Sequence, residues 1–300
     1  MRIAVTGGPG QLVLSLLERG PLQHHDVVAV GPPELDLAAP DDALILSALA
    51  AVRPDAVVNA AAFTAVDKAE SEAALAQSIN ADGAGAVARA AATLGVPLVH
   101  VSTDYVFSGD ATGPYAEGDA TGPTGVYGRT KLAGEQAVLA AGADHAILRT
   151  AWVYSPFGAN FVKTMLRLAD TRDELGVVDD QYGNPTSALD LADAVLAVAE
   201  RLCADADPAL RGLFHATGAG DGSWADLAQA VFEGSARAGG PSARVNRITT
   251  AQYPTPARRP ANSRLNCDKL ELLHGLRLPD WRISAAAVTA RLIHEGTYQS

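Results

Sequence analysis

Tyr127 and Lys131, in the run Tyr127-Gly128-Arg129-Thr130-Lys131, have the types and spacing to move a proton. Positions i and i+4 share one helix face, so a phenol and an ammonium would point into the same space. A free tyrosine titrates near ~10, too high for proton exchange at neutral pH. A nearby ammonium favours the phenolate and is expected to lower that value. The same pair arises by chance on solvated helix surfaces, so it needs partners. One is Ser102-Thr103-Asp104-Tyr105-Val106-Phe107, where a hydroxyl such as that of Thr103 can hydrogen-bond a carbonyl oxygen as charge develops on it.

A second partner is Gly7-Gly8-Pro9-Gly10, set between the apolar run Ile3 to Thr6 and a helical pattern from Gln11. Glycines there let backbone N–H groups and the positive helix end approach a dinucleotide diphosphate. Val13 stands where a third glycine is common. The next apolar run ends at Val30-Gly31-Pro32-Pro33, with no acid for a ribose diol and no arginine for a 2′-phosphate. Asp36, in Leu35-Asp36-Leu37, is the nearest group for the adenosine, and a turn-capping carboxylate is its other reading. Both NADPH and NADH are admitted. Asn59-Ala60-Ala61-Ala62 closes a third run with residues small enough to let a cofactor cross.

These groups meet only if the elements between them bring them to one edge. Apolar runs at Ile3 to Thr6, Val27 to Val30, Ala56 to Asn59, Leu98 to Val101 and Ala146 to Leu148 alternate with helical patterns, among them Ala73 to Leu94 before Gly95. Such alternation predicts an α/β fold: a Rossmann-like, doubly wound parallel sheet covered on both faces, binding at its carboxyl edge. Past Trp152 the pattern loosens. Helices are expected over Asn160 to Ala169 and Leu189 to Leu202, strands at Gly176 to Val178 and Leu213 to His215, and a helix from Ser223 or Trp224. Tyr253 to Pro260 is an irregular loop, with Asp268 to Leu273 helical after it. This predicts a dinucleotide-binding domain over 1–150 and a smaller, loop-rich substrate lobe over 151–300. Segments near 174–215 are expected to return and complete the first domain.

A 48% hydrophobic and 19% charged composition is that of a globular chain with a sizeable core. The net charge of -11 argues against a nucleic-acid partner, which needs a broad basic surface. Charged residues interrupt every long apolar run, arguing against a membrane span, and the apolar N-terminal stretch is too short for a signal peptide. A cytoplasmic setting follows by default. Cys203 and Cys267 match neither a disulfide framework nor a zinc motif.

Together these runs resemble the extended short-chain dehydrogenase/reductases, and within them the dTDP-4-dehydrorhamnose reductase branch. The resemblance is carried by Arg53 to Glu70 (RPDAVVNAAAFTAVDKAE), by Ser102 to Phe107, and by Tyr127 to Glu135 (YGRTKLAGE). It continues through Leu148 to Tyr154 (LRTAWVY), Asp179 to Thr186 (DDQYGNPT) and Arg259 to Leu265 (RPANSRL). It implies hydride transfer to C4 of a dTDP-4-keto-6-deoxy sugar. It also implies that Tyr127 donates the proton, that Lys131 tunes it and holds the cofactor ribose, and that Thr103 orients the keto oxygen. Asp104 and Trp152 would contact the sugar. Gly10, Gln11 and Leu12 would bind the diphosphate, and Ala62, Phe63 and Thr64 would line the rest of the cofactor. Asn160 and Arg259 are candidates for the nucleotide end, although Arg259 could equally pin a proline loop.

Some members of the branch form dimers bridged by magnesium through glutamates. The corresponding stretch here, Val13-Leu14-Ser15-Leu16, offers no carboxylate, so no metal is expected, while a homodimer remains open. Two other functions fit the resemblance: a 4-ketoreductase for another nucleotide sugar, and a non-catalytic regulatory subunit. The latter has no need of Thr103, Tyr127 and Lys131 together.

Overall fold

The computed structural model describes residues 1–299. The first half runs β1 (Arg2–Thr6), α1 (Gln11–Leu22), β2 (Asp26–Val30), α2 (Asp42–Val52), β3 (Ala56–Asn59), α3 (Val66–Ala69) and α4 (Ala73–Gln77). A π-helical turn at Ser78–Asp82 then leads into α5 (Gly83–Leu94), followed by β4 (Leu98–Thr103), α6 (Val126–Ala140) and β5 (His145–Thr150). Ala73 to Leu94 is thus one helical run interrupted by a π turn. It stops at Gly95, whose φ of 67° suits glycine.

The second half runs β6 (Val153–Tyr154), α7 (Phe161–Ala169), β7 (Glu174–Val178), β8 (Tyr182–Gly183), β9 (Thr186–Ser187) and α8 (Ala188–Ala204). It ends with β10 (Gly212–His215), β11 (Gly222–Ser223), α9 (Trp224–Arg237), β12 (Arg244–Ile248), α10 (Asp268–His274) and α11 (Trp281–Glu295). Among the described residues no helix is long and apolar enough to cross a membrane.

Six parallel strands form the main sheet in the order β10-β5-β4-β3-β1-β2. Every residue of β3 is buried, as a strand covered on both faces requires. One face is covered by α1 and α8, which put Val13, Leu16, Leu191 and Val195 against Ile3, Val5 and Val58. The other is covered by α2, α5 and α6, with Ile45, Leu49, Val87 and Val138 on Ala4, Val57 and Ile147. Val13 therefore fills core, its Cγ2 3.3 Å from where a Cβ on Gly7 would stand. A side chain replaces the close backbone contact a third glycine would give.

A separate apolar cluster joins α7, α9 and α11 through Leu166, Val231, Phe232 and Val288. The strand near Gly176 corrects one expectation: β7 pairs with β12 in a two-stranded parallel sheet and does not join the main one. Its burial largely alternates, so it is suited to covering one side of a core. From 174–215, only α8 and β10 complete the main sheet and its cover. The helix α11 was not foreseen, because Ser284 and Thr289 occupy buried positions in its helical stripe and blur it.

Candidate active site

The carboxyl ends of β1, β3, β4 and β5 open onto a cleft of about 830 Å³. Gly10 caps α1 in extended conformation without a side-chain cap, and the first turn holds no acid. Its free N–H groups and the helix dipole therefore favour an anion. Gly7 has a φ of 128°, which L side chains rarely adopt. Opposite it, a Cβ on Gly31 would lie 2.8 Å from the Gly7 carbonyl oxygen. Gly7, Gly10, Gln11, Leu12, Ala60, Ala61, Ala62 and Thr64 all line this end.

Tyr127 and Lys131 face the same cleft from α6, and Thr103 and Asp104 face it from the end of β4. Thr103 hydrogen-bonds Tyr127 and also donates to Asp104 Oδ1 at 2.9 Å. Lys131 Nζ donates to the Val101 carbonyl at 2.7 Å. Burial lowers the Lys131 ammonium to about 8, opposed by the nearby Glu135 carboxylate. Burial also raises the Tyr127 phenol above its ordinary value, with the Thr103 hydrogen bond opposing it. This direction is opposite to the one expected from the ammonium four residues away. Desolvation of the phenolate sets the direction, and the ammonium, its Nζ engaged with the Val101 carbonyl, does not counter it. Asp104 is pushed up to about 6, again by burial, with bonds from Ser263 and Thr103 opposing. Its Oδ2 is buried with no hydrogen-bond partner among the described residues.

The opposite wall is aromatic. Trp152 holds a φ of 49°, an unusual conformation for a bulky residue and one that concentrates at functional sites. It stacks on Trp224, with centroids 3.7 Å apart and planes within 7°. Gly183 lies behind it, where a Cβ would come 2.5 Å from the indole. Trp224 had no signal in the sequence, since it sits 72 residues away at the start of α9.

Other expected residues fall elsewhere. Asp36 is exposed and caps its own turn through Ala38 N at 2.9 Å, and Leu37 is buried against Gly83. Neither lines the cleft, nor does Phe63, whose N–H and carbonyl are both held by Asn80. Asn80 lies in the π turn and also donates to Thr130 beside Lys131, so it ties the Ala62–Thr64 segment to α6. Asn160 lines the cleft, but its side chain caps α7 and bonds the Ser155 and Phe157 carbonyls. Arg259 lies outside the lining, paired with Asp67 at 2.7 Å and bonded to the Tyr105 hydroxyl at 3.2 Å. Among the described residues no group of His, Cys, Asp or Glu could hold a metal ion.

The family described as RmlD substrate binding domain matches residues 1–293. The dTDP-4-dehydrorhamnose reductase of Sinorhizobium fredii is 51% identical over 296 residues, 99% of each chain. The Probable dTDP-4,6-dihydroxy-2-methyloxan-3-one 4-ketoreductase of Streptomyces antibioticus is 43% identical over 285 residues, 94% of this chain and 92% of its own. Among solved structures, the dTDP-4-dehydrorhamnose reductase of Bacillus anthracis in complex with NADP superposes with a TM-score of 0.88 at 33% identity. That match covers 97% of this chain and 99% of the other. With the family model matched nearly end to end and a full-length relative half identical, the chain belongs to the dTDP-4-dehydrorhamnose reductase family.

Proposed function

We propose that the protein reduces the 4-keto group of dTDP-4-dehydro-L-rhamnose to give dTDP-L-rhamnose, with NADPH or NADH as reductant. The observation that carries this reading is the convergence of Thr103, Tyr127 and Lys131 on a cleft whose other end is a glycine turn at a helix N-terminus. When bound, the reduced nicotinamide supplies a hydride to C4. The free N–H groups of α1 and the glycines at 7 and 10 receive the diphosphate. Ala60, Ala61, Ala62 and Thr64 leave room along the strand ends, while Phe63 contributes through its backbone position.

Thr103 orients the keto oxygen, and Tyr127, kept protonated at neutral pH, delivers its proton to that oxygen as the C4–H bond forms. The phenolate left behind is stabilised by the Lys131 ammonium. Asp104, through its unpartnered Oδ2, and Trp152, stacked on Trp224, hold the sugar. Residues 1–150 chiefly carry the dinucleotide and the later ones chiefly the substrate. Asp36 and Leu37 lie outside the lined cleft and would serve only as distal adenosine contacts. Arg259 would act on the nucleotide end only through Tyr105, which packs on Tyr127. The activity needs neither a nucleic acid nor a membrane, and a homodimer is compatible with it.

The full-length likeness to a 4-ketoreductase of another dTDP sugar supports a second reading, in which the same proton and hydride geometry serves a different keto sugar. The test is oxidation of NADPH and NADH, followed separately at ~340 nm, with dTDP-4-dehydro-L-rhamnose generated in situ and the product assigned by NMR. Turnover to dTDP-L-rhamnose is expected. Turnover confined to another 4-keto sugar would favour the second reading, and binding of dinucleotide without turnover on any would overturn both.

A further inference from the structure

Behind Lys131 lies a buried ionic group that takes no direct part in the proton transfer. Glu135 is one helical turn beyond Lys131 on α6 and only 3% exposed. Its Oε1 accepts from Ser102 Oγ at 2.5 Å and from Arg149 Nε at 2.9 Å, and its Oε2 accepts from Arg149 Nη2 at 2.7 Å. Arg149 is equally buried, its guanidinium 4.9 Å from the centroid of the Phe107 ring. Ser102 immediately precedes Thr103, and Arg149 is the penultimate residue of β5. The group therefore ties α6, β4 and β5 together just beneath the cleft. Replacing such a pair by apolar residues of like volume often costs nothing in stability, so packing alone does not account for it.

Lys131 is a buried cation whose Nζ donates to a backbone carbonyl. Tyr127 and Glu135 flank it on its own helix, His100 approaches from β4, Asp104 lies past the end of β4, and Arg149 of β5 is held by Glu135. Burial holds His100 well below its ordinary value, so it stays neutral, and Tyr127 is a neutral phenol. Asp104 faces Thr103 and Tyr127. Glu135, at i+4 on the same helix and as deeply buried, is the carboxylate that favours the charged ammonium.

We propose that Glu135 is a positioning residue that keeps Lys131 protonated beside Tyr127, with Ser102 and Arg149 fixing its carboxylate where that field is felt. The inference rests on the reductase reading for its consequence in turnover, but not for its physical test. The chain has four lysines, so [13Cε]lysine labelling allows Lys131 to be titrated directly by NMR in the protein without dinucleotide. In Glu135→Gln the Lys131 titration is expected to fall by about one pH unit or more. Glu135→Gln leaves Arg149 buried and unpaired and could unfold the chain. The double variant Glu135→Gln/Arg149→Met removes both charges, and its Lys131 is expected to titrate between the single variant and wild type. Glu135→Asp, which keeps the charge, should titrate close to wild type.

In parallel, the alkaline limb of kcat/KM should move to lower pH in the same order, because the charged amine is lost as pH rises through its pKa. Lys131 titrating at the wild-type pH in the folded double variant would overturn the proposal and leave Glu135 a structural clamp. Failure of wild type to turn over would instead overturn the reductase reading, with the titration still decisive for this one.

Discussion

On the floor of the cleft, Thr103, Tyr127 and Lys131 hang from the last residue of β4 and from the first turns of α6. On the outer wall, Trp152 comes from a residue in left-handed backbone conformation and Trp224 from the first residue of a helix in the smaller lobe. The floor is fixed by a six-strand hydrogen-bonded ladder and by spacing along one helix. The wall rests mainly on the stack of Trp152 on Trp224, of the kind worth about 0.5–1.5 kcal/mol beyond its area. The difference teaches where this fold keeps its chemistry and where it keeps its selectivity. Under the proposed reading, proton transfer would sit on the part that tolerates least movement, and substrate fit on the part that can be re-cut.

The largest effect expected is on the floor. Lys131→Met should lower kcat by about 10²- to 10⁴-fold and also weaken dinucleotide binding, as read by steady-state kinetics and calorimetry. The fold should survive, since a desolvated ammonium is removed. Loss of binding without loss of kcat would break the assignment of Lys131 to both tasks.

Asp104→Asn sharpens the same side through stability. The carboxyl titrates at about 6 in the fold against 3.8 ordinarily. A raised carboxyl favours the unfolded chain once it ionises, so the cost is absent below pH ~4, grows between the two values and is full above ~6. The variant should therefore be more stable by up to about 3 kcal/mol at pH 8 and unchanged at pH 3.5, while turning over more slowly. Denaturant melts at both pH values would show it, and equal gains at both would remove the ionisation argument.

On the wall, Trp224→Ala should raise KM for the sugar nucleotide about tenfold, equivalent to about 1.4 kcal/mol, with kcat and dinucleotide affinity nearly unchanged. A collapse of kcat would erase the distinction between floor and wall. Smallest of all, Arg259→Met breaks a partly exposed pair with Asp67 and should cost about 0–1 kcal/mol of stability. Its KM should rise less than about threefold, read from the same kinetics.

The floor was legible in the sequence because its geometry is local. Tyr127 and Lys131 are one helical turn apart, Thr103 ends an apolar run, and Gly7 to Gly10 interrupt another. The sheet was legible for the same reason, through continuous apolar strands. What escaped was non-local. No spacing links Trp152 to Trp224, or Glu135 to Arg149, and the destination of β7 depended on pairing with β12, some 70 residues on. The direction of the Tyr127 shift escaped as well. Spacing reports that an ammonium is near, whereas burial, which decides the sign here, is a property of the packed cleft.

The measurement that tests the central claim most directly is Tyr127→Phe, with dinucleotide affinity and kcat for dTDP-4-dehydro-L-rhamnose measured on the same preparation. Affinity within about threefold of wild type with kcat lowered by about 10²-fold or more is the predicted result, since only the transferable proton is removed. Turnover near the wild-type rate would contradict it, and the proton would have to come from another group in the cleft.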